Sequence, residues 1–169
     1  KSTIKYTNNG CTRSEKDPQV IVENVLNREF HADAPNEKWL TDVTEFKWYE
    51  GKEVHKIYLS AILDLYDRRI VSYVIGDHNN NPLVFDTFDK ALEDNPDAHP
   101  IFHSDRGFQY TSKVFHQKLV DAGMIQSMSR VAKCIDNGPM EGFWGILKRE
   151  KYYGNRFESK ESLIEMIEK

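Results

Sequence analysis

Cysteine is almost absent from this sequence. The chain of 169 residues has two, Cys11 and Cys134. They lie far apart and form no CxxC or Cys/His spacing, which excludes a cysteine-built zinc module. We read both as reduced thiols of a cytosolic protein. Long apolar runs are also missing. None reaches the length of a membrane span, and the opening KSTIKYTNNG holds no apolar segment of the secretory kind. The expectation is a cytoplasmic protein with no membrane partner. An excess of positive charge is missing as well: 23 Lys+Arg stand against 27 Asp+Glu, a net charge of −4. Contact with a polyanion must therefore come from local patches. The histidines form no HExxH motif. Internal repeats and low-complexity tracts are absent, which excludes solenoids and disordered arrays.

What is present is an ordinary globular composition, 39% hydrophobic and 30% charged, enough for one domain with a core. Residues 1–36 read as a polar arm or linker, punctuated by Asn8-Asn9-Gly10, Asp17-Pro18 and Ala34-Pro35. Within it, PQVIVENVLNREF is expected to form one short helix. A core domain is expected over 37–169. KWLTDVTEFKWY, VHKIYLSAILDLY and RRIVSYVIG read as three strands of an antiparallel meander. The Asn79–Pro82 run offers a cap for a helix over PLVFDTFDKALED, with Leu83, Phe85, Phe88 and Leu92 near one face. HPIFHSD reads as a short buried strand and TSKVFHQKLVDAG as a helix closed by Gly123. MIQSMS is a fifth strand and RVAKCIDNG a loop. PMEGFWGILKREKYY is a helix, and ESLIEMIEK begins another. The order βββαβαβα predicts an α/β fold, a five-stranded mixed sheet flanked by helices, resembling ribonuclease H.

Three carboxylates stand out. Asp105, in HSDRGFQYTS, ends an apolar strand, where open α/β sheets gather ligands. The plainer reading is a turn cap before Gly107. Asp42 lies inside a strand, where aspartate is disfavoured. It shares a face with Leu40 and Phe46, so it needs a cation or donors unless that face meets solvent. Glu141 lies in the first turn of a helix, a place the helix dipole alone favours. Gly145 and Lys148 share its face. In a ribonuclease H arrangement the first and fourth strands are neighbours, so Asp42 and Asp105 can share a cation and the last helix can bring Glu141. An all-oxygen set suits Mg²⁺, and two such ions can serve phosphoryl transfer. We expect Asp42 and Asp105 to bind one ion and Glu141 to complete a second site. Mutual repulsion should raise at least one of the three pKa values.

The segments WLTDVTEF, LDLYDRRIVSY, HSDRGFQYTS and SMSRVAKCIDNGPMEGFWGILKRE, in this order over roughly residues 36–155, resemble the integrase-like catalytic core of insertion-sequence transposases of the IS-three type. They are more distantly similar to retroviral integrases. The resemblance carries the acidic triad of that family onto Asp42, Asp105 and Glu141, with the family's usual separation between the last two. It implies Mg²⁺-dependent generation of 3′-OH ends and strand transfer into target DNA, with Mn²⁺ as a substitute ion. It also implies a bacterial host, nucleoid association when DNA is bound, and a homodimer or higher oligomer on DNA. The helix-turn-helix region of the family is not recognisable, and the last helix is cut short. The chain therefore reads as a core fragment, for which inactivity in isolation is one expectation.

Within this reading Lys148 is a candidate DNA phosphate contact, and Lys151 belongs to the same basic helix end. Arg130 and Lys133, in the loop before the helix, are further candidates. Arg106 and Gln109 flank the metal position. Asn137 either caps the helix or touches a base. Trp39, Trp48 and Trp144 read as core or core-edge residues. His103-Ser104-Asp105 is not a hydrolase triad, because neighbours on a strand face opposite ways. Two other readings stand beside the transposase core: a ribonuclease H-like nuclease that hydrolyses without joining, and a non-catalytic DNA-binding remnant. The intact carboxylates speak against the latter.

Overall fold

The computed structural model describes residues 20–130 and 137–168. Three strands, β1 (Lys38–Glu50), β2 (Glu53–Asp64) and β3 (Ile70–Gly76), form the meander. Then come α1 (Asn81–Asp94), β4 (Ile101–Ser104), α2 (Lys113–Asp121), β5 (Ile125–Met128), α3 (Gly138–Leu147) and α4 (Lys160–Glu168). A π-helical turn, Lys148–Tyr152, follows α3 directly. The sheet order is β3-β2-β1-β4-β5. The meander is antiparallel, whereas β4 runs parallel to β1 and β5 parallel to β4. This is the ribonuclease H-like arrangement that the order of elements predicted.

Strand periodicity divides the core into two layers. Trp39 and Ile62 face α1 and α2, joining Phe88, Phe102 and Phe115. Leu40, Phe46, Ala61 and Leu63 face the other way and pack with Met140, Trp144 and Leu163. Fully burying one such side chain contributes roughly 1.5–3 kcal/mol, so β1, covered on both faces, anchors the domain. Local signals set the helix starts. Asn80 caps α1 by accepting from the Leu83 N–H, and Ser112 caps α2 by accepting from the Phe115 N–H. Gly123, at φ +74° just past α2, takes a left-handed conformation that favours glycine.

The helix expected within PQVIVENVLNREF is not formed over its described part. That segment runs along the outer edge of β5. The Met128 N–H donates to Glu23 O at 3.3 Å, and the Leu26 N–H donates to Ser127 Oγ at 3.0 Å. Asn27 and Arg28 both have positive φ, which stops helix propagation. The open edge of β5 offers backbone partners that outweigh weak helix propensity. Leu26 and Ala32 are buried in the same layer as Leu40. Cys11, Cys134 and Lys133 lie outside the described residues.

Candidate active site beside the β1–β4 pair

The parallel pairing of β1 with β4 sets Leu40 opposite His103. The pairing ends there; Asp42 lies two residues further along β1, and Asp105 is the first residue beyond β4. Asp105 is exposed. Its Oδ1 accepts the Gly107 N–H at 2.8 Å, so it does cap its turn and one of its two oxygens is thereby committed. Gly107 sits in close approach: a Cβ there would meet Asp105 Oδ1 and Gln109 Oε1, each at 3.0 Å, and would press on both side chains.

Asp42 lies on the layer of Leu40 and Phe46, as its alternation demanded. Its Oδ2 accepts the indole N–H of Trp144 at 3.0 Å. Burial, then the Asp105 carboxylate, and to a smaller extent Glu141, push its pKa from 3.8 up to about 7. The expected rise is present, with desolvation as its larger cause. Glu141 is exposed in the first turn of α3. Asp105 and Glu141 both act on Asp42, yet the set of His, Asp or Glu ligand atoms lying within 4.8 Å of one another among the described residues is a different one. The site is thus an open arrangement of carboxylates.

Two neighbours of the acids were not singled out from the sequence. Trp144 is both core, as expected, and a donor that orients Asp42. The signal was its place one turn after Glu141 on an amphipathic helix. Tyr110 is fully buried, and burial followed by the charges of Asp42 and Asp105 holds its pKa well above the usual phenol value. It therefore stays a neutral phenol beside both acids. Nothing in HSDRGFQYTS distinguishes it from an ordinary core tyrosine.

Lys148 faces this site. Its Nζ lies over the Phe46 ring, 5.1 Å from the centroid. Burial lowers its pKa, opposed by the carboxylates of Glu45, Glu141 and Asp42. Lys151 points to another side of the π-helical turn, where it lines a cavity with Phe143, Leu147 and Tyr73. Arg106 is exposed at the turn after β4 and donates through Nε to Ser129 O at 3.0 Å. Arg130 is exposed at the end of the described segment.

Gln109 and Asn137 are both buried, and Asn137 stands at the N-cap position of α3. Gln109 is buried, with Nε2 donating to Asn79 Oδ1, so it presents no surface to a phosphate. Asn137 is buried and its side chain makes no helix cap. Its Nδ2 donates instead to Thr41 O at 3.3 Å, a bond that ties the start of α3 to β1 beside Asp42. The Asn137 Oδ1 is left buried without a hydrogen-bond partner. His103 has both ring nitrogens within hydrogen-bond distance of hydroxyls, those of Ser127 and Ser129, as expected of a core histidine and not of a triad member.

A mixed β3-β2-β1-β4-β5 sheet flanked by helices, with Asp42 within β1 and Asp105 just beyond the neighbouring β4, defines a ribonuclease H-like domain. The integrase core domain family model matches residues 32–134, a range that includes Asp42 and Asp105. The chain belongs to this integrase core family, among the transposases of insertion sequences. It is 44% identical over 87% of its length to a transposase-like protein of Haemophilus influenzae, covering 66% of that protein. It is 41% identical over 86% of its length to InsK, the transposase assigned to insertion sequence IS150 of Escherichia coli K12, covering 52% of it. The chain thus spans about half to two thirds of the length of these curated relatives. Its fold is similar to the dimeric form of the HTLV-2 integrase catalytic core domain in complex with magnesium, with a TM-score of 0.54 at 21% identity, over 69% of this chain and 70% of that one. No helix among the described residues is long and apolar enough to cross a membrane.

Proposed function

We propose that this chain is the catalytic core of a transposase that cleaves DNA to expose 3′-OH ends and transfers those ends into target DNA. The observation that carries the reading is Asp42 on β1 and Asp105 just beyond β4, its parallel neighbour, near enough that Asp105 adds, after burial, to the rise of the Asp42 pKa to about 7. Burial and the neighbouring acids disfavour the ionised form of Asp42, and a bound cation would favour it.

The residues fit Mg²⁺. The donor set is all oxygen, and Asp42 and Asp105 each have one oxygen fixed by an N–H donor. Asp42 and Asp105 would hold one ion, and Glu141 would complete a second site when DNA is bound. Divalent ions there supply activation of an attacking oxygen and charge stabilisation on a leaving one. The chain's own groups do the rest. Trp144 orients Asp42. Tyr110, neutral, adds no further negative charge beside the two aspartates. Lys148 offers a cation to a phosphate, with Arg106, Arg130, Lys133 and Lys151 as further backbone contacts. A homodimer or higher oligomer on DNA, in a bacterial cytoplasm and at the nucleoid, is part of the same proposal.

The test is joining of labelled element ends to a plasmid by a transposase carrying this chain as its core. Joined product should form with Mg²⁺ or Mn²⁺ and vanish with EDTA. Hydrolysis without joining, or joining that persists in EDTA, would overturn the proposal. A companion prediction concerns Trp144→Phe, which keeps the ring and removes the donor. Metal sites lose roughly 10–100-fold in affinity when such an outer partner is removed. We expect Mg²⁺ binding, followed by calorimetry, to weaken about tenfold. The carboxyl resonance of Asp42 should titrate higher in the variant than in the wild-type chain, since the Trp144 bond lowers its pKa. Unchanged titration and unchanged Mg²⁺ binding would show that Trp144 is core and nothing more.

A further inference from the structure

We propose that the tip of the β1–β2 hairpin binds one divalent cation of the zinc class through His55, Glu50 and Glu53. The register places Glu50 directly opposite Glu53 and Trp48 opposite His55. Like charges facing each other across a strand pair destabilise it, so this hairpin end calls for a positive partner. His55 supplies a nitrogen aimed at both acids: Nε2 is 3.3 Å from Glu50 Oε1 and 3.4 Å from Glu53 Oε1. Neither approach has hydrogen-bond geometry, and this nitrogen is closed to solvent without a hydrogen-bond partner. In the tautomer protonated at Nδ1, this nitrogen presents its lone pair between the two acids as a ligand atom. The three ligand atoms lie within 4.8 Å of one another, the spread a single ion can bridge.

The support around this site is rigid. Trp48 stacks on the His55 ring, with centroids 4.3 Å apart and planes 21° from parallel, which fixes the ring orientation. Arg156 donates to Gly51 O at 2.8 Å, and the Tyr49 N–H donates to Phe157 O at 2.8 Å. These bonds hold the turn from the α4 side. The donor set differs from that of the Asp42 site. One imidazole nitrogen with two carboxylate oxygens suits Zn²⁺ and its neighbours rather than Mg²⁺. The exposed carboxylates leave the remaining coordination positions to water. Eight residues of strand separate Glu50 from Asp42, roughly 25 Å at strand rise, so the two sites act independently.

The experiment is a calorimetric titration with ZnCl₂ of the Asp42→Asn/Asp105→Asn chain, in which the pair of aspartates no longer binds metal. The same titration follows after adding His55→Asn, and separately after adding Glu50→Gln/Glu53→Gln. We expect one Zn²⁺ per chain in the parent, weakened at least tenfold by either addition, with an equal concentration of Mg²⁺ failing to compete. Circular dichroism checks the fold of each variant, and the two additions serve as independent tests should one of them fail to fold. Binding that is unaltered by both additions, or absent in the parent, would overturn the proposal. No DNA enters the measurement, so either result leaves the transposase reading untouched.

Discussion

Replacing Glu141 by Gln leaves the fold intact and lowers DNA joining by a transposase carrying this chain about a thousandfold or more. The size follows from the several kcal/mol of transition-state charge stabilisation that bound divalent ions supply, converted at about 1.4 kcal/mol per tenfold. Retention of the fold follows from position. Glu141 is exposed on α3, while the helix is held by Met140 and Trp144 in the core. The side-chain amide preserves size and removes the charge. The check is twofold: an unchanged circular dichroism spectrum and thermal midpoint, and a joining assay with labelled ends. Joining at the wild-type rate would remove Glu141 from the site and leave the two aspartates as its only acids.

The second large effect is on stability. In EDTA, Asp42→Asn is more stable than the wild-type chain at pH 8, and the advantage disappears toward pH 4. The sign comes from proton counting. Unfolded, Asp42 loses its proton near its ordinary value of 3.8; folded, near about 7. Below pH 4 both states are protonated and nothing is lost. From pH 4 to 7 the folded chain holds a proton that the unfolded chain has released, so wild-type stability falls as pH rises. Above pH 7 the full penalty is present, on the order of a few kcal/mol at about 1.4 kcal/mol per pKa unit. Asparagine carries no charge and still accepts from the Trp144 N–H. Adding Mg²⁺ at pH 8 should stabilise the wild-type chain by ligand linkage and the variant far less. A stability difference independent of pH would show that Asp42 is not raised in this way.

The elements, and the places of Asp42 and Asp105 on them, were legible because their signals are local. Alternation along KWLTDVTEFKWY named the buried face of β1, and that face is where Asp42 stands. The Asn80 and Ser112 caps and Gly123 marked the helix ends. Contacts made across the sheet were not legible. PQVIVENVLNREF looked helical because nothing in it reveals that an open β5 edge would claim its backbone. Gln109 and Asn137 looked like surface amides, since neither sequence neighbourhood shows Asn79 or Thr41 waiting as a partner. Trp144 could be placed in the core from its helical spacing, but its bond to Asp42 joins residues 102 positions apart. Tyr110 was hidden for the same reason. The divergence of Lys148 and Lys151 depends on the π-helical turn that begins at Lys148, which changes the angle per residue and which no periodicity in KREKY announces.

The most direct measurement is the anomalous difference map of a crystal of this chain soaked in Mn²⁺. A metal peak shared by the carboxylates of Asp42 and Asp105 is the expected result. A map with no peak there, in a crystal where those two carboxylates point away from each other, would contradict the metal-dependent DNA chemistry proposed for this site.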